Sequence, residues 1–243
     1  MDEWLDHWFY LTFSGNDLLG CLAITTEIEK TSWIRLFAHS RGVRQESIWR
    51  ILFDTYLNQK GEANSQLYAL GTSDWFSDLL LSSSFHTHQK IIFFQNDLQN
   101  QFRVKDQGKI LVTYIELSQL QEIVLLDNIS FPPSWQLPYQ SLKNALAKSS
   151  YATVAILNGK IVGYQITTES HLSAHLARLA VDPQYRQQGI SKTLLFHLFN
   201  YCKRRGIKKI TVNTQDDNSI SQRLYLSSGF KPIEENYPVF IKE

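Results

Sequence analysis

The stretch LARLAVDPQYRQQGIS, Leu176 to Ser191, decides how this chain reads. Its first six residues have strand composition, Asp182-Pro183 turns the chain, and Gly189 stands at the opening of a helical pattern. From Gln188 to Arg205, the residues Ile190, Leu194, Leu195, Leu198, Phe199 and Cys202 recur at helical spacing, and Gly206 follows as a stop. A strand that runs into a helix in this way leaves backbone N–H groups around Gln187 to Ser191 unpaired at the positive end of the helix dipole, a ready anion site. Gly189 has no Cβ to hold a phosphate off the backbone. Arg186 adds a forked cationic donor beside it.

Working outward, Tyr151–Leu157 and Lys160–Thr168 predict two strands joined by Asn158-Gly159, a strong two-residue hairpin signal. Ala174–Val181 and Ile207–Thr214 predict further strands. Asn218 is placed to cap a short helix through Ser228, ended by Gly229. Upstream, Ser118–Asn128 and Tyr139–Ser149 predict helices split by the turn-rich FPPSWQLP. Helices, a meander and then β-α-β-α-β make a mixed α/β layer structure.

Downstream of the loop, Asn218, Ser221, Leu224-Tyr225 and Gly229-Phe230 complete the pattern N-x-x-S-x-x-L-Y-x-x-x-G-F. Together with Arg186-Gln187-Gln188-Gly189-Ile190-Ser191, this resembles the GNAT superfamily of N-acetyltransferases over residues 110–243. Ser191 departs from the usual Gly or Ala, but a small hydroxyl fits there. A G-x-G-x-x-G dinucleotide fingerprint follows none of the strands.

The resemblance implies acetyl-CoA as co-substrate and acetyl transfer to a primary amine, of a peptide, protein or small molecule, by direct attack in a ternary complex. It assigns the pyrophosphate to Arg186, Gln187, Gln188, Gly189, Ile190 and Ser191. The pantetheine falls to the backbone of Leu179, Ala180 and Val181, one of whose N–H groups would polarise the thioester carbonyl. Asn218, with Ser221 in the same motif, helps orient the co-substrate. Tyr225 takes the place of the general acid, its reference pKa of about 10 lying near the thiol's of about 8.5. His175, fourteen residues before Gly189, occupies the position of a glutamate base in some members. AVDPQYRQQG, FPPSW and NSISQRLYLSSGF are most similar to ribosomal-protein alanine acetyltransferases, whose glutamate on the following strand corresponds to Asn213 here. That departure leaves a non-catalytic acyl-CoA-binding sensor or scaffold as the alternative. Trp135 and Tyr139 are expected in the acceptor wall.

The first half carries a fainter copy. ITTE occurs at Ile24–Glu27 and Ile166–Glu169, and VRQESIWRILFDTYL from Val43 parallels YRQQGISKTLLFHLF from Tyr185, both 142 residues apart. LLLSSSF from Leu79 parallels LYLSSGF from Leu224 at 145. In this copy Gly189 becomes Ser47, Ser191 becomes Trp49, Gln188 becomes Glu46 and Tyr225 becomes Leu80. A carboxylate repels a pyrophosphate, an indole obstructs it, and leucine donates no proton. Residues 1–16 leave no room for the two opening helices. All six prolines follow residue 131 and five of six tryptophans precede residue 76, so the halves differ in composition. The expectation is two GNAT-like units, each a central mixed β-sheet flanked by helices, packed as a pseudo-dimer: residues 1–105 degenerate and non-catalytic, residues 106–243 catalytic.

Composition narrows the function classes. With 43% hydrophobic, 13% aromatic and 19% charged residues, the 243-residue chain is neither disordered nor fibrous. A formal charge of +1 gives no field to draw nucleic acid or an anionic membrane. Cys21 and Cys202 alone exclude a disulfide framework or a cysteine-rich zinc site, and His171 with His175 lacks further ligands, so no metal is expected. Lys203, Arg204, Arg205, Lys208 and Lys209 read as a solvated complement to a helix C-terminus rather than a nucleic-acid patch. Asp2 and Glu3 stand where a signal peptide needs positive charge, and no apolar run approaches the roughly 18 residues of a membrane span. The expected context is cytoplasmic, as a monomer with its internal pseudo-dimer or as a homodimer.

Overall fold

The aromatic-rich run WFYLTFS and the Gly15-Asn16 turn start the described chain as a hairpin. A computed structural model describes residues 8–28, 30–60, 66–98 and 109–243. The chain divides into two compact units, Met1–Lys90 with Tyr237–Glu243, and Ile91–Asn236. The boundary expected at residues 105/106 lies outside the described residues.

The first unit runs β1 (Trp8–Ser14), β2 (Asp17–Ile28), β3 (Thr31–His39), α1 (Gln45–Lys60), β4 (Gln66–Leu70), α2 (Asp74–Ser82) and the start of β5 (His86–Asn96). β1, β2 and β3 pair antiparallel in sequence order, and β3 pairs parallel with β4. Its core gathers Leu22, Ile24, Ile48, Trp49, Leu52, Phe53, Phe76 and Leu80 between strands and helices.

The second unit runs β6 (Leu111–Tyr114), α3 (Leu120–Ser130), α4 (Tyr139–Ala147), β7 (Tyr151–Leu157), β8 (Lys160–Ser170), β9 (Ser173–Val181), α5 (Ile190–Arg204), β10 (Lys209–Gln215), α6 (Ser219–Ser227) and β11 (Lys231–Lys242), whose last residues belong to the first unit. β6 to β9 pair antiparallel in order, and β9 pairs parallel with β10. One sheet face packs Val154, Tyr164 and Ile166 against Leu120, Ile123 and Leu142 of α3 and α4. The other packs Leu176 and Val212 against Leu195, Leu198 and Phe199 of α5 and Tyr225 of α6. The apolar positions read at helical spacing in α5 are all buried.

The strand set of each unit is completed by a strand from the other half of the sequence. β4 pairs antiparallel with Val239–Lys242 of β11, and β10 pairs antiparallel with Ile91–Asn96 of β5. The final strands of the two halves have changed places.

Two local features repeat between the units. β3 carries one extra residue against β2, at Arg35, and β9 carries one against β8, at Ala177, again 142 residues apart. Gly20 and Gly163 sit where a strand carbonyl and the first turn of the following helix crowd in. A Cβ on Gly163 would lie 2.9 Å from the Ala180 carbonyl oxygen and 3.0 Å from Ile190, and one on Gly20 would meet the Ala38 carbonyl oxygen at 3.0 Å and overlap Ile48. We therefore expect Gly20→Ala to destabilise the chain by about 1–3 kcal/mol, the range for overpacking a filled site, read as a lowered Tm. The ITTE match is a correction. Ile24 faces α1 while Ile166 faces α3 and α4, so the two lie on opposite faces. The structural register pairs Gly20 with Gly163, and in a strand a one-residue slip reverses every side chain.

No helix among the described residues is long and apolar enough to cross a membrane.

Candidate active site

The extra residue in β9 parts two strands. The parallel ladder between β9 and β10 covers Ser173–Leu176 with Lys209–Val212 and ends there, although both strands continue. Leu179, Ala180 and Val181 remain paired with Gln165, Tyr164 and Gly163 on the β8 side. Facing β10, their backbone borders a wedge-shaped opening. The side chains of Ala180 and Val181 are buried, so these residues can meet a ligand only through the backbone.

At the end of β9 the chain makes a tight turn. Asp182 Oδ1 accepts from the Gln184 N–H (2.8 Å), capping a single 3₁₀ turn over Pro183–Tyr185. Gln187 and Gly189 both have positive φ, 64° and 82°, a backbone path that is unfavourable for glutamine and free for glycine. This path delivers the N–H groups of Ile190 and Ser191 to the start of α5, where no side chain caps the helix. Nothing lies within 4 Å of a Cβ placed on Gly189, so the approach is open. Arg186, Gln187 and Gln188 are exposed there, Ser191 is half-buried, and Ile190 sends its side chain into the core and offers only its N–H. The Arg186 Nε donates to the Val181 carbonyl (3.4 Å), which ties the guanidinium to the strand end.

Asn218 and Ser221 serve one another. The Asn218 Oδ1 accepts from the Ser221 N–H (3.1 Å) as the N-cap of α6. Tyr225, on that helix, is buried between Phe94 and Phe230, their ring centroids 5.9 and 5.6 Å away. Burial pushes its phenol pKa well above the ordinary value. His175 lies in the closed part of the ladder, where its Nδ1 bonds to Thr211 Oγ1 (2.9 Å). Burial lowers its pKa, so the ring is held neutral. Asn213, on β10 beyond the point of divergence, is exposed. Among the described residues, no group of three or more His, Cys, Asp or Glu side chains is placed to hold a metal ion.

The sequence reading missed a buried polar cluster. Asp127 of α3 is fully buried, and its Oδ2 accepts from the Tyr164 hydroxyl (2.6 Å) and from Arg178 Nε (2.8 Å). Its Oδ1 accepts from Arg178 Nη2 (2.6 Å) and from the Leu137 N–H (2.8 Å). A carboxylate inside the apolar run EIVLLDNIS and an arginine inside LARLAV were the available signals, since such residues are buried only when paired.

Residues 117–230 match the model of the acetyltransferase (GNAT) family. The second unit resembles a GNAT acetyltransferase domain. Over 82 residues, 33% of this chain and 55% of the relative, the chain is 35% identical to the [ribosomal protein bS18]-alanine N-acetyltransferase of Escherichia coli K12. The chain thus spans about half the length of this curated relative. A tandem GNAT protein from the clavulanic acid biosynthesis pathway superposes on 97% of this chain and 82% of its own, with a TM-score of 0.70 at 14% identity. The PaiA N-acetyltransferase of Thermoplasma acidophilum, solved in complex with coenzyme A, superposes on 55% of this chain and 98% of its own, with a TM-score of 0.50 at 18% identity.

The first unit shows what the same elements become when the opening is filled. α1 starts at Gln45, two residues ahead of Ser47, and the Ser47 N–H donates to the Arg44 carbonyl (3.1 Å). The amide at the position of Gly189 is therefore already engaged. Trp49 is buried, donates from Nε1 to Ser83 Oγ (2.7 Å), stacks on Phe53 at 4.8 Å and meets Phe37 edge-on at 5.1 Å. Phe37 stands at the position of Leu179 and stacks on Phe76 at 6.1 Å. Leu80, at the position of Tyr225, is fully buried.

Proposed function

We propose that the chain is an acetyl-CoA-dependent N-acetyltransferase whose second unit carries the reaction, with the first unit (expected as residues 1–105) non-catalytic. The observation that carries this is the coincidence of an uncapped, open helix N-terminus with the end of the β9–β10 ladder. Anion-binding amides at one end and unpaired strand backbone at the other fit the pyrophosphate and pantetheine of acetyl-CoA. Arg186 and the N–H groups of Gln187 to Ser191 hold the phosphates, and Asn218 with Ser221 fixes the start of α6 beside them.

Bound acetyl-CoA supplies an activated acyl group. A backbone N–H within Leu179 to Val181 donates to the carbonyl oxygen as negative charge develops there. The acceptor amine is held so that its nitrogen forms the new C–N bond as the C–S bond breaks. Tyr225 keeps its proton through the neutral range, because burial raises its pKa, and gives it to the sulfur as the thiolate leaves. The raised pKa replaces the near match of about 10 and 8.5 expected from reference values, so the transfer is driven by the charge developing on the sulfur. His175 takes the proton lost by the amine, through intervening water, at Nε2, with Nδ1 tied to Thr211.

With the pKa of His175 below 6.5, the neutral base is present at pH 7 and is lost as pH falls through that lowered value. The acid limb of kcat/KM is thus expected below pH 6.5, and His175→Gln is expected to remove the limb and lower kcat by about 10²-fold. An unchanged profile would take His175 out of the mechanism.

The reading itself is tested by calorimetry with acetyl-CoA followed by a panel of primary amines: peptide N-termini, lysine, polyamines and amino acids. One site per chain with turnover on any of these supports it, and two sites would assign a second to the first unit. Binding without turnover favours the non-catalytic acyl-CoA sensor, for which the amide of Asn213 in place of a carboxylate is the supporting observation. An absence of binding overturns both.

A further inference from the structure

We infer that Asp127, Arg178 and Tyr164 form a positioning lock that fixes the loop over residues 131–138 to β9, and that acceptor binding depends on it while acetyl-CoA binding does not. The inference rests on the acetyltransferase reading and adds to it a determinant of the acceptor side.

The geometry ties three elements to one carboxylate. Asp127 projects from α3, Tyr164 from β8 and Arg178 from β9 immediately after the extra residue Ala177 and before Leu179. Arg178 Nη2 also donates to the Trp135 carbonyl (2.7 Å), and the guanidinium lies 3.5 Å above the Phe131 ring centroid. The Leu137 N–H reaches Asp127 Oδ1, and Gln136 Nε2 bonds to the carbonyls of Asn128 (2.9 Å) and Phe131 (3.0 Å). The loop is therefore gripped at 131, 135, 136 and 137, twice through the Asp127–Arg178 pair and once by the ring beneath it.

Stability alone does not account for this arrangement. A buried ion pair is roughly neutral against well-packed apolar side chains, because desolvation offsets the attraction, and the neighbouring inward positions of α3 are Leu120, Ile123, Val124 and Leu126. Direct chemistry does not account for it either. Both oxygens of Asp127 are engaged and the residue is fully buried, so it has no path to a substrate proton. What the pair supplies is a single geometry between the backbone proposed to hold the acyl group and the loop carrying Trp135.

The test compares Asp127→Asn, Arg178→Lys and Tyr164→Phe with the parent. In the unliganded chain, hydrogen exchange at the Leu137 amide and its loop neighbours is expected to quicken at least about tenfold in Asp127→Asn and Arg178→Lys, the scale set by losing one charge-assisted hydrogen bond. Tyr164→Phe keeps the ion pair and is expected to change less. In turnover, the acceptor KM is expected to rise by a similar factor while acetyl-CoA affinity stays within about twofold. Unchanged exchange over 131–138 overturns the lock, and so does a parallel loss of acetyl-CoA affinity, which would mean general loosening. If Asp127→Asn does not fold, Arg178→Lys, which keeps the charge pair but not the fork, decides the question. If the parent acetylates no amine, the acetyltransferase reading fails, while exchange still shows whether the loop is held.

Discussion

The Tyr225→Phe variant is expected to bind acetyl-CoA as the parent does and to lose turnover by about 10²–10⁴-fold, the usual contribution of a positioned acid. Phenylalanine preserves the packing against Phe94 and Phe230, so folding and the co-substrate site stay intact and only the transferable proton is removed. The pH dependence gives a second reading. Because burial raises the phenol pKa above 10, Tyr225 stays protonated across the whole working range, and no alkaline limb below pH 10 belongs to it. Calorimetry and initial rates over pH 6–10 check both statements. Turnover equal to the parent's would remove Tyr225 from its role and leave it a core residue.

Gly189→Glu is expected to abolish measurable acetyl-CoA binding, a loss of more than about a thousandfold. Two effects combine. A side chain at φ 82° costs about 1–2 kcal/mol in backbone strain. The new carboxylate also occupies the open space through which a phosphate would reach the amides, and like charges about 4 Å apart repel by about 4 kcal/mol at an effective dielectric of 20. Gly189→Ala separates the terms, since it carries the strain without the charge and should weaken binding by about tenfold. Both variants are read by calorimetry, with thermal unfolding as the check on folding. Near-parental affinity in Gly189→Glu would place the pyrophosphate elsewhere.

Much of the candidate site's framework was legible because its structure is local. The turn at Asp182-Pro183, the glycine opening α5, the Asn218 cap and the buried stripe from Ile190 to Cys202 each depend on a few neighbouring residues, and sequence spacing records them directly. The repeat along α1 and α5 was legible for the same reason, helical periodicity being tolerant of small shifts. ITTE was misleading because β2 carries an extra residue at Glu27 that β8 lacks, which changes the offset between the two strands by one residue, and nothing in the local sequence announces it. Asp127, Tyr164 and Arg178 come from three elements separated by up to 51 positions, and only tertiary packing reveals why two charged groups and a phenol sit in apolar runs. The exchange of final strands has no local signature at all.

That exchange has a consequence for how the chain is made. β4 is synthesised well before its antiparallel partner, Val239–Lys242, which begins 169 positions after Leu70. At roughly 5–20 residues per second, the first unit waits many seconds with an open sheet edge, the kind of backbone that invites pairing with other chains. Pairings so distant in sequence also raise contact order, which slows folding. The half that emerges first is the last to be finished, and its time in the nascent state is set by the translation of its partner.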